Sequence, residues 1–148
     1  MNLKIKKTAR KRLTLFVVSD IILVSLSVVA AFMIRFDGKI PAEYLERGLL
    51  QNMIILALLF CIPAFYFFRL YSFSWSFVST TELVSLFKAV TLSFVFLGAS
   101  IFFLQSFQGF PRSTLIVSYI LVFILCGGMR FSKRVYLEFF RKGKKSRQ

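Results

Sequence analysis

The 148-residue chain contains no histidine. That removes Ser-His-Asp and Cys-His catalysis and every His-based metal site. Its two cysteines, Cys61 and Cys126, are too few for a zinc cluster or a disulfide framework. Only six carboxylates are present, and no two of them are placed for general acid–base work. None of the seven glycines falls in a dinucleotide fingerprint or a Walker pattern. None of the five tyrosines is followed by a lysine four residues later, so a Tyr-x-x-x-Lys dyad is absent as well. Any catalysis must therefore lie outside these residues.

What the chain has in excess is apolar surface and positive charge. Hydrophobic residues make up 57%, 20 residues are Phe, and the mean hydropathy is +0.74. Twenty Lys and Arg leave a net charge of +14. A soluble nucleic-acid binder can carry that charge, but not with this apolar content, which excludes nucleic acid as the partner. A membrane protein carries both.

The charge sits at the two ends. Residues 1–12 hold six basic groups (Lys4, Lys6, Lys7, Arg10, Lys11, Arg12) and no acid. Residues 130–148 hold eight basic groups against Glu138, while 13–129 has six bases and five acids. Within this nearly neutral interior, Leu13 to Ile34 is 22 residues with Asp20 as its sole charge. Gly48 to Phe68, Ala89 to Pro111 and Ser113 to Met129 are uncharged runs of 21, 23 and 17 residues. A membrane span needs roughly 20 apolar residues, with a range of about 17–25. The last run reaches that length if Arg130 snorkels toward the interface. These runs are too long for barrel strands and do not alternate apolar with polar.

The reading is an all-α polytopic membrane protein, an antiparallel bundle of four transmembrane helices at about 13–35, 49–69, 84–107 and 113–133. Residues 1–12 form a basic N-terminal segment. Residues 134–148 form a basic juxtamembrane segment, which either continues the fourth helix or lies along the membrane surface. After Gly143 the sequence reads as the start of a linker. Four spans put both termini on one side. With the termini cytoplasmic, the inside collects 16 basic residues and the outside four (Arg35, Lys39, Arg47, Arg112), which the positive-inside rule favours. The N-terminus imitates a signal peptide, but its apolar run is longer than a signal core of about 7–15 residues. No lipidation motif is visible.

Four features inside this frame bear on function. Asp20 is the one acid within the first span, roughly 10 Å past Leu13 at 1.5 Å per residue. Intramembrane carboxylates are costly and are kept for a reason. Lys88 and Arg130 are its candidate partners, and Asp20, Lys88 and Arg130 form an intramembrane charge cluster in this reading. Asp20 is then either a structural partner or the coupling group of a small transporter. Pro63 interrupts the second span, where it removes a backbone donor and opposes the carbonyl of Leu59. Gly98-Ala99-Ser100, Gly127-Gly128 and Ser27 with Ala31 offer small surfaces for close helix contact. Tyr71, Phe73, Trp75 and Phe77 alternate with serines after the second span. They read as an interfacial aromatic belt or as a surface for a prenyl lipid or a partner domain. Cys61 and Cys126 read as small buried apolar residues.

An ordered set of short elements adds a resemblance. Asp20 is followed by Ala30-Ala31, Arg35-Phe36-Asp37-Gly38, Ile40-Pro41 and Tyr44-Leu45. Then come Tyr71, Trp75, Phe77-Val78-Ser79, Glu82-Leu83, Pro111-Arg112-Ser113 and Arg130. In this order the chain resembles the N-terminal membrane domain of the bacterial membrane-bound nucleoside-diphosphate-sugar epimerase/4,6-dehydratase family of capsule, O-antigen and glycan biosynthesis. Where that family carries basic residues after the Tyr and the Trp, this chain has Ser72 and Ser76. The membrane domain of a polyprenyl-phosphate sugar-phosphate transferase has a similar four-span start.

The resemblance implies a bacterial inner-membrane anchor, followed by a cytoplasmic NAD(P)-dependent Rossmann domain acting on UDP-N-acetylhexosamines. This chain holds none of that domain's catalytic or cofactor residues, so no catalytic, cofactor or metal residue is assigned and no cofactor is expected here. The expected partners are a bilayer with anionic headgroups, a C-terminal catalytic domain or other glycan-assembly membrane proteins, and a second copy of the chain in a homo-oligomer. The rival function is a small four-helix transporter or flippase using Asp20.

Overall fold

A bilayer offers no water to backbone N–H and C=O groups, so a long apolar run inside it closes its own hydrogen bonds as a helix. The computed structural model describes residues 2–71, 80–105 and 111–145. The helices are, in order, α1 (Asn2–Arg35), α2 (Ala42–Glu46), α3 (Leu49–Phe67), α4 (Thr80–Gln105) and α5 (Arg112–Lys145). Among the described residues there is no strand. Four stretches are long and apolar enough to cross a membrane: Leu13–Arg35, Leu49–Phe67, Thr81–Leu104 and Arg112–Lys133. The chain is an all-α, multi-pass membrane protein with a four-helix bundle, as its uncharged runs imply.

The bundle is a ring. α1 packs on α3, α3 on α4, α4 on α5, and α5 closes onto α1, while the short α2 packs on α3. Among the described residues, the diagonal pairs α1/α4 and α3/α5 bring no two Cα atoms within 8 Å. Side-chain contacts give the direction of each neighbour. Ser19 meets Met129, Asp20 meets Arg130, and Phe16 meets Lys133, so α1 and α5 run antiparallel. Thr91 meets Tyr119 and Phe87 meets Phe123, so α4 and α5 do too. Both basic ends of the chain therefore lie at one end of the bundle.

The buried face repeats every four residues. On α5 it is Thr114, Ser118, Val122, Cys126 and then Arg130. On α3 it is Leu49, Met53, Ala57, Cys61 and Phe65, and on α1 it is Asp20, Val24, Val28 and Phe32, with Ser27 and Ala31 beside them. Residues four apart form the helix ridges that interdigitate most often between packed helices. On α5 most members of the row are small, and on α1 the small Ser27 and Ala31 stand beside the row, which favours close approach of helices. The outward faces carry Ile55, Leu59, Val95, Phe103, Ile116 and Ile124, all exposed, as a lipid-facing surface requires.

The small surfaces anticipated at the glycines are only partly used. A Cβ at Gly127 would meet Leu86 Cδ2 at 3.4 Å, whereas one at Gly98 or Gly128 would have nothing within 4 Å. The tight side of α5 is the Thr114–Cys126 row, not the Gly127-Gly128 pair.

Two turns shape the ends. α1 stops with Gly38 N–H on the Met33 carbonyl at 2.8 Å, with Asp37 left-handed at φ 51°. α3 stops with Leu70 N–H on the Phe65 carbonyl at 3.0 Å, with Arg69 left-handed at φ 55°. Both are Schellman closures in which a non-glycine residue takes the position that usually falls to glycine. Past the first turn, Tyr44 packs on Phe32 and Phe36, ring centroids 6.0 and 5.0 Å away, and holds the α1–α2 connection against the bundle.

The basic segments extend the helices. α1 is helical from Asn2 and α5 to Lys145, so of the two readings for residues after 133 the structure takes continuation of the fourth helix. At 1.5 Å per residue each of these helices is about 50 Å long, against roughly 30 Å of hydrocarbon.

Ser118→Leu should lower bundle stability by about 1–3 kcal/mol, because its fully buried site resists the added volume. Gly128→Ala should be neutral or stabilising by up to about 1 kcal/mol, since its Cβ meets nothing. Equilibrium unfolding in mixed detergent micelles reads both.

Candidate functional site

Asp20 is the place where burial and charge conflict most sharply, and the structure resolves the conflict at once. Arg130 Nη2 donates to Asp20 Oδ2 at 2.9 Å and Nη1 to Oδ1 at 3.4 Å. The two side chains are 13% and 4% exposed. The paired, fork-to-carboxylate geometry is the strong form of this interaction. The Arg130 guanidinium also stands over the Phe65 ring, 5.5 Å from its centroid, and so reaches across the ring of helices to α3. One arginine thereby touches α1 and α3 from α5.

Lys88 does not join this group. It is exposed on α4, diagonally opposite α1, and no described contact links it to Asp20. The expected three-residue cluster is a two-residue pair. The physical reason is the ring topology, because neighbouring depth does not bring a diagonal helix into reach. Lys88 sits on the lipid-facing side, where its stem covers apolar surface and its ammonium extends to the interface.

Tyr71 is the member that sequence reasoning placed elsewhere. The Schellman turn at Arg69 folds the chain back under α3. Tyr71 then turns its hydroxyl toward the Asp20 carboxylate, buried but not in hydrogen-bonding geometry with any partner. Burial, and after it the negative charge of Asp20, push its ionisation well above the ordinary tyrosine value near 10, so it stays protonated. Phe73, Trp75 and Phe77, grouped with Tyr71 as an aromatic segment, lie outside the described residues.

Elsewhere in the interior several hydroxyls are satisfied within their own helices, while Ser113 Oγ and Thr114 Oγ1 at the start of α5 are buried without a hydrogen-bond partner among the described residues. Ser27, Ser93 and Ser118 donate to the carbonyls of Leu23, Ala89 and Thr114 in their own helices at 2.6–2.7 Å. Ser93 also reaches the Phe60 carbonyl on α3 at 3.2 Å, in the turn that precedes Pro63. Ser19 donates to Met129 Sδ at 2.8 Å. Hydroxyls turned onto their own backbone line no path. Cys61 and Cys126 are both fully buried and free. They sit on the diagonal helices α3 and α5, whose Cα atoms stay more than 8 Å apart, beyond the reach of a disulfide. Among the described residues no three His, Cys, Asp or Glu come together to hold a metal.

The signal for the pair was present in the sequence. The small, period-four row on α5 ends at Arg130, and the matching row on α1 begins at Asp20. Antiparallel pairing of the two rows sets these residues side by side. Nothing comparable marked Tyr71, whose position depends on a left-handed arginine.

Compared with family models, with curated proteins and with solved structures, the chain gives no match.

Asp20→Asn or Arg130→Gln alone leaves a buried partner uncompensated and should cost about 3 kcal/mol or more. The double variant should cost less than the sum of the two; unfolding in bicelles measures the cycle. Tyr71 adds a pH dependence. Its neutral form is the native one, so this contribution is complete below the unfolded value near 10 and fades as pH rises above it. Tyr71→Phe should flatten the decline in melting temperature between about pH 9 and 11.

Proposed function

We propose that the chain is the membrane anchor of a bacterial glycan-biosynthesis protein, holding a nucleotide-sugar epimerase/dehydratase domain at the cytoplasmic face of the inner membrane. The observation that carries the anchor reading is the Asp20–Arg130 pair. The one carboxylate inside the first span is buried and neutralised by its neighbour. A coupling carboxylate of a transporter must exchange its proton or ion with solvent, and a bidentate arginine opposes that. The continuous α5, helical to Lys145, supplies a stiff exit from the bilayer for a following domain. The sugar-nucleotide part rests on the ordered resemblance from Asp20 to Arg130. Tethering raises the enzyme's effective concentration beside the membrane transferases that use its product.

The direct test is fractionation of the protein encoded at the native locus. UDP-N-acetylglucosamine turnover should be found in the membrane fraction and move to the soluble fraction when residues 1–133 are deleted. No turnover in either fraction removes the sugar-nucleotide role. Proteoliposome flux that disappears in Asp20→Asn supports the transporter instead.

Two outcomes are expected of residues 1–148. Calorimetry should detect no NAD binding, since no helix begins at the glycine-rich turn that cradles a pyrophosphate. In cells, Cys placed at Lys4 or Lys145 should be labelled only from the cytoplasm, and Cys at Lys39 only from outside, as the 16-to-4 charge asymmetry requires.

A further inference from the structure

Beyond Lys133 the helix α5 continues for twelve residues with an unusual division of its circumference. At about 100° per residue, Phe131, Val135, Tyr136, Phe139 and Phe140 fall by register in one half. Arg130, Lys133, Arg134, Arg141, Lys144 and Lys145 fall in the other; Leu137 and Lys142 are the exceptions. The structure orients the two halves. Arg130 binds Asp20 and Lys133 Nζ stands 4.0 Å over the Phe16 ring, so the half that begins with these two residues starts on the α1 side. Phe131, Val135, Tyr136 and Phe139 are turned outward and exposed, Phe139 to 80%.

Two consequences follow. The basic half of α5 adjoins the end of α1 that carries six basic residues and no acid, so positive charge accumulates there and calls for anions. The apolar half persists to Phe139, six residues or about 9 Å past Lys133. A headgroup layer extends roughly 5–7 Å beyond the hydrocarbon on each side. Val135 and Tyr136, about 3 and 4.5 Å past Lys133, therefore sit at headgroup depth, and Phe139, which leans back toward the N-terminus of its helix, reaches the layer's outer edge. Apolar side chains and fixed positive charge at one depth fit a single occupant, a leaflet rich in anionic phospholipid.

We infer that the end of α5 from Phe131 to Lys145 is a binding surface for anionic phospholipid headgroups, with Phe131, Val135 and Phe139 inserted among the lipids and the basic residues binding their phosphates. The inference rests on the membrane half of the reading above and not on its sugar-nucleotide half.

The test uses the full chain in nanodiscs of phosphatidylcholine alone and of an equimolar mixture with phosphatidylglycerol. The chain has a single Trp, so Trp75→Phe with Val135→Trp moves the one indole into the stripe at headgroup depth. Lipid brominated near the carbonyl should quench it strongly in the mixture and weakly in phosphatidylcholine. Arg134→Gln, Arg141→Gln and Lys142→Gln together should remove the difference. One basic residue near an anionic surface corresponds to about a five-fold preference, so the triple change should lower phosphatidylglycerol enrichment at least ten-fold. The unmodified chain supplies a second reading, a higher melting temperature in the mixture that is lost in the triple variant. Equal quenching in both lipids overturns the inference. Water-like, unquenched emission overturns it too, and so does blue-shifted but unquenched emission, which marks cover by a second copy or another protein. Failure of the membrane placement itself would look different, as a chain stripped from vesicles by carbonate.

Discussion

A carboxylate in a low-dielectric interior must be neutralised by something within hydrogen-bonding reach, and in this bundle that something is Arg130. The pairing has a geometric consequence that apolar packing alone lacks. Apolar rows can slide by one turn against each other at small cost, whereas an ion pair that slips by a turn leaves two buried charges unmatched. Asp20–Arg130 therefore sets the register of α1 on α5. The flanking contacts Ser19–Met129 and Phe16–Lys133 follow from that register. Arg130 extends the constraint to α3 through Phe65, so three of the four spans are indexed by one side chain.

The rest of the interior is arranged so as not to compete with that pair. Interior serines are turned onto carbonyls of their own helices. The cysteines lie on diagonal helices, too far apart to bridge. Away from the pair, the buried faces of the two helices carry Val24, Ser27 and Val28 on α1 and Ser118, Val122 and Cys126 on α5. Close approach of the α1 and α5 backbones shortens the gap that the Asp20 and Arg130 side chains must cross. Packing and electrostatics thus favour the same arrangement. At the foot of the bundle, the left-handed Arg69 redirects the chain so that the phenol of Tyr71 comes beneath the pair. A buried phenol beside a carboxylate keeps its proton, which leaves Asp20 to its arginine.

The end of the bundle that carries both basic segments is physically distinct from the opposite end. The opposite end is closed by the aromatic group Phe32, Phe36 and Tyr44 and by the short α2. The basic end leaves α1 and α5 as helices that outrun the hydrocarbon. On α5, Arg130 and Lys133 face α1, and Phe131 and Phe139 face outward.

Much of this was decided by the sequence alone, because the membrane leaves few options. Four apolar runs of about span length, interrupted by the single charge of Asp20 and with no water to satisfy their backbones, can only become helices. Short connections make consecutive helices antiparallel, and the buried small rows are visible as residues four apart. The spans begin and end within a few residues of the positions expected from the charges, while α1 and α5 run on as helices beyond theirs. Sequence could also name Asp20 as a residue in need of a cation, since that follows from the cost of burying it. Which cation it finds is a property of the ring. Lys88 and Arg130 lie at similar depth on helices of similar composition, and only the closure of α5 onto α1, which puts α4 across the diagonal, separates them. The location of Tyr71 was equally out of reach, because it hangs on one left-handed residue at the end of α3. Burial cost is a local quantity that a sequence carries, whereas the identity of a partner from a distant helix is settled only when the helices are assembled.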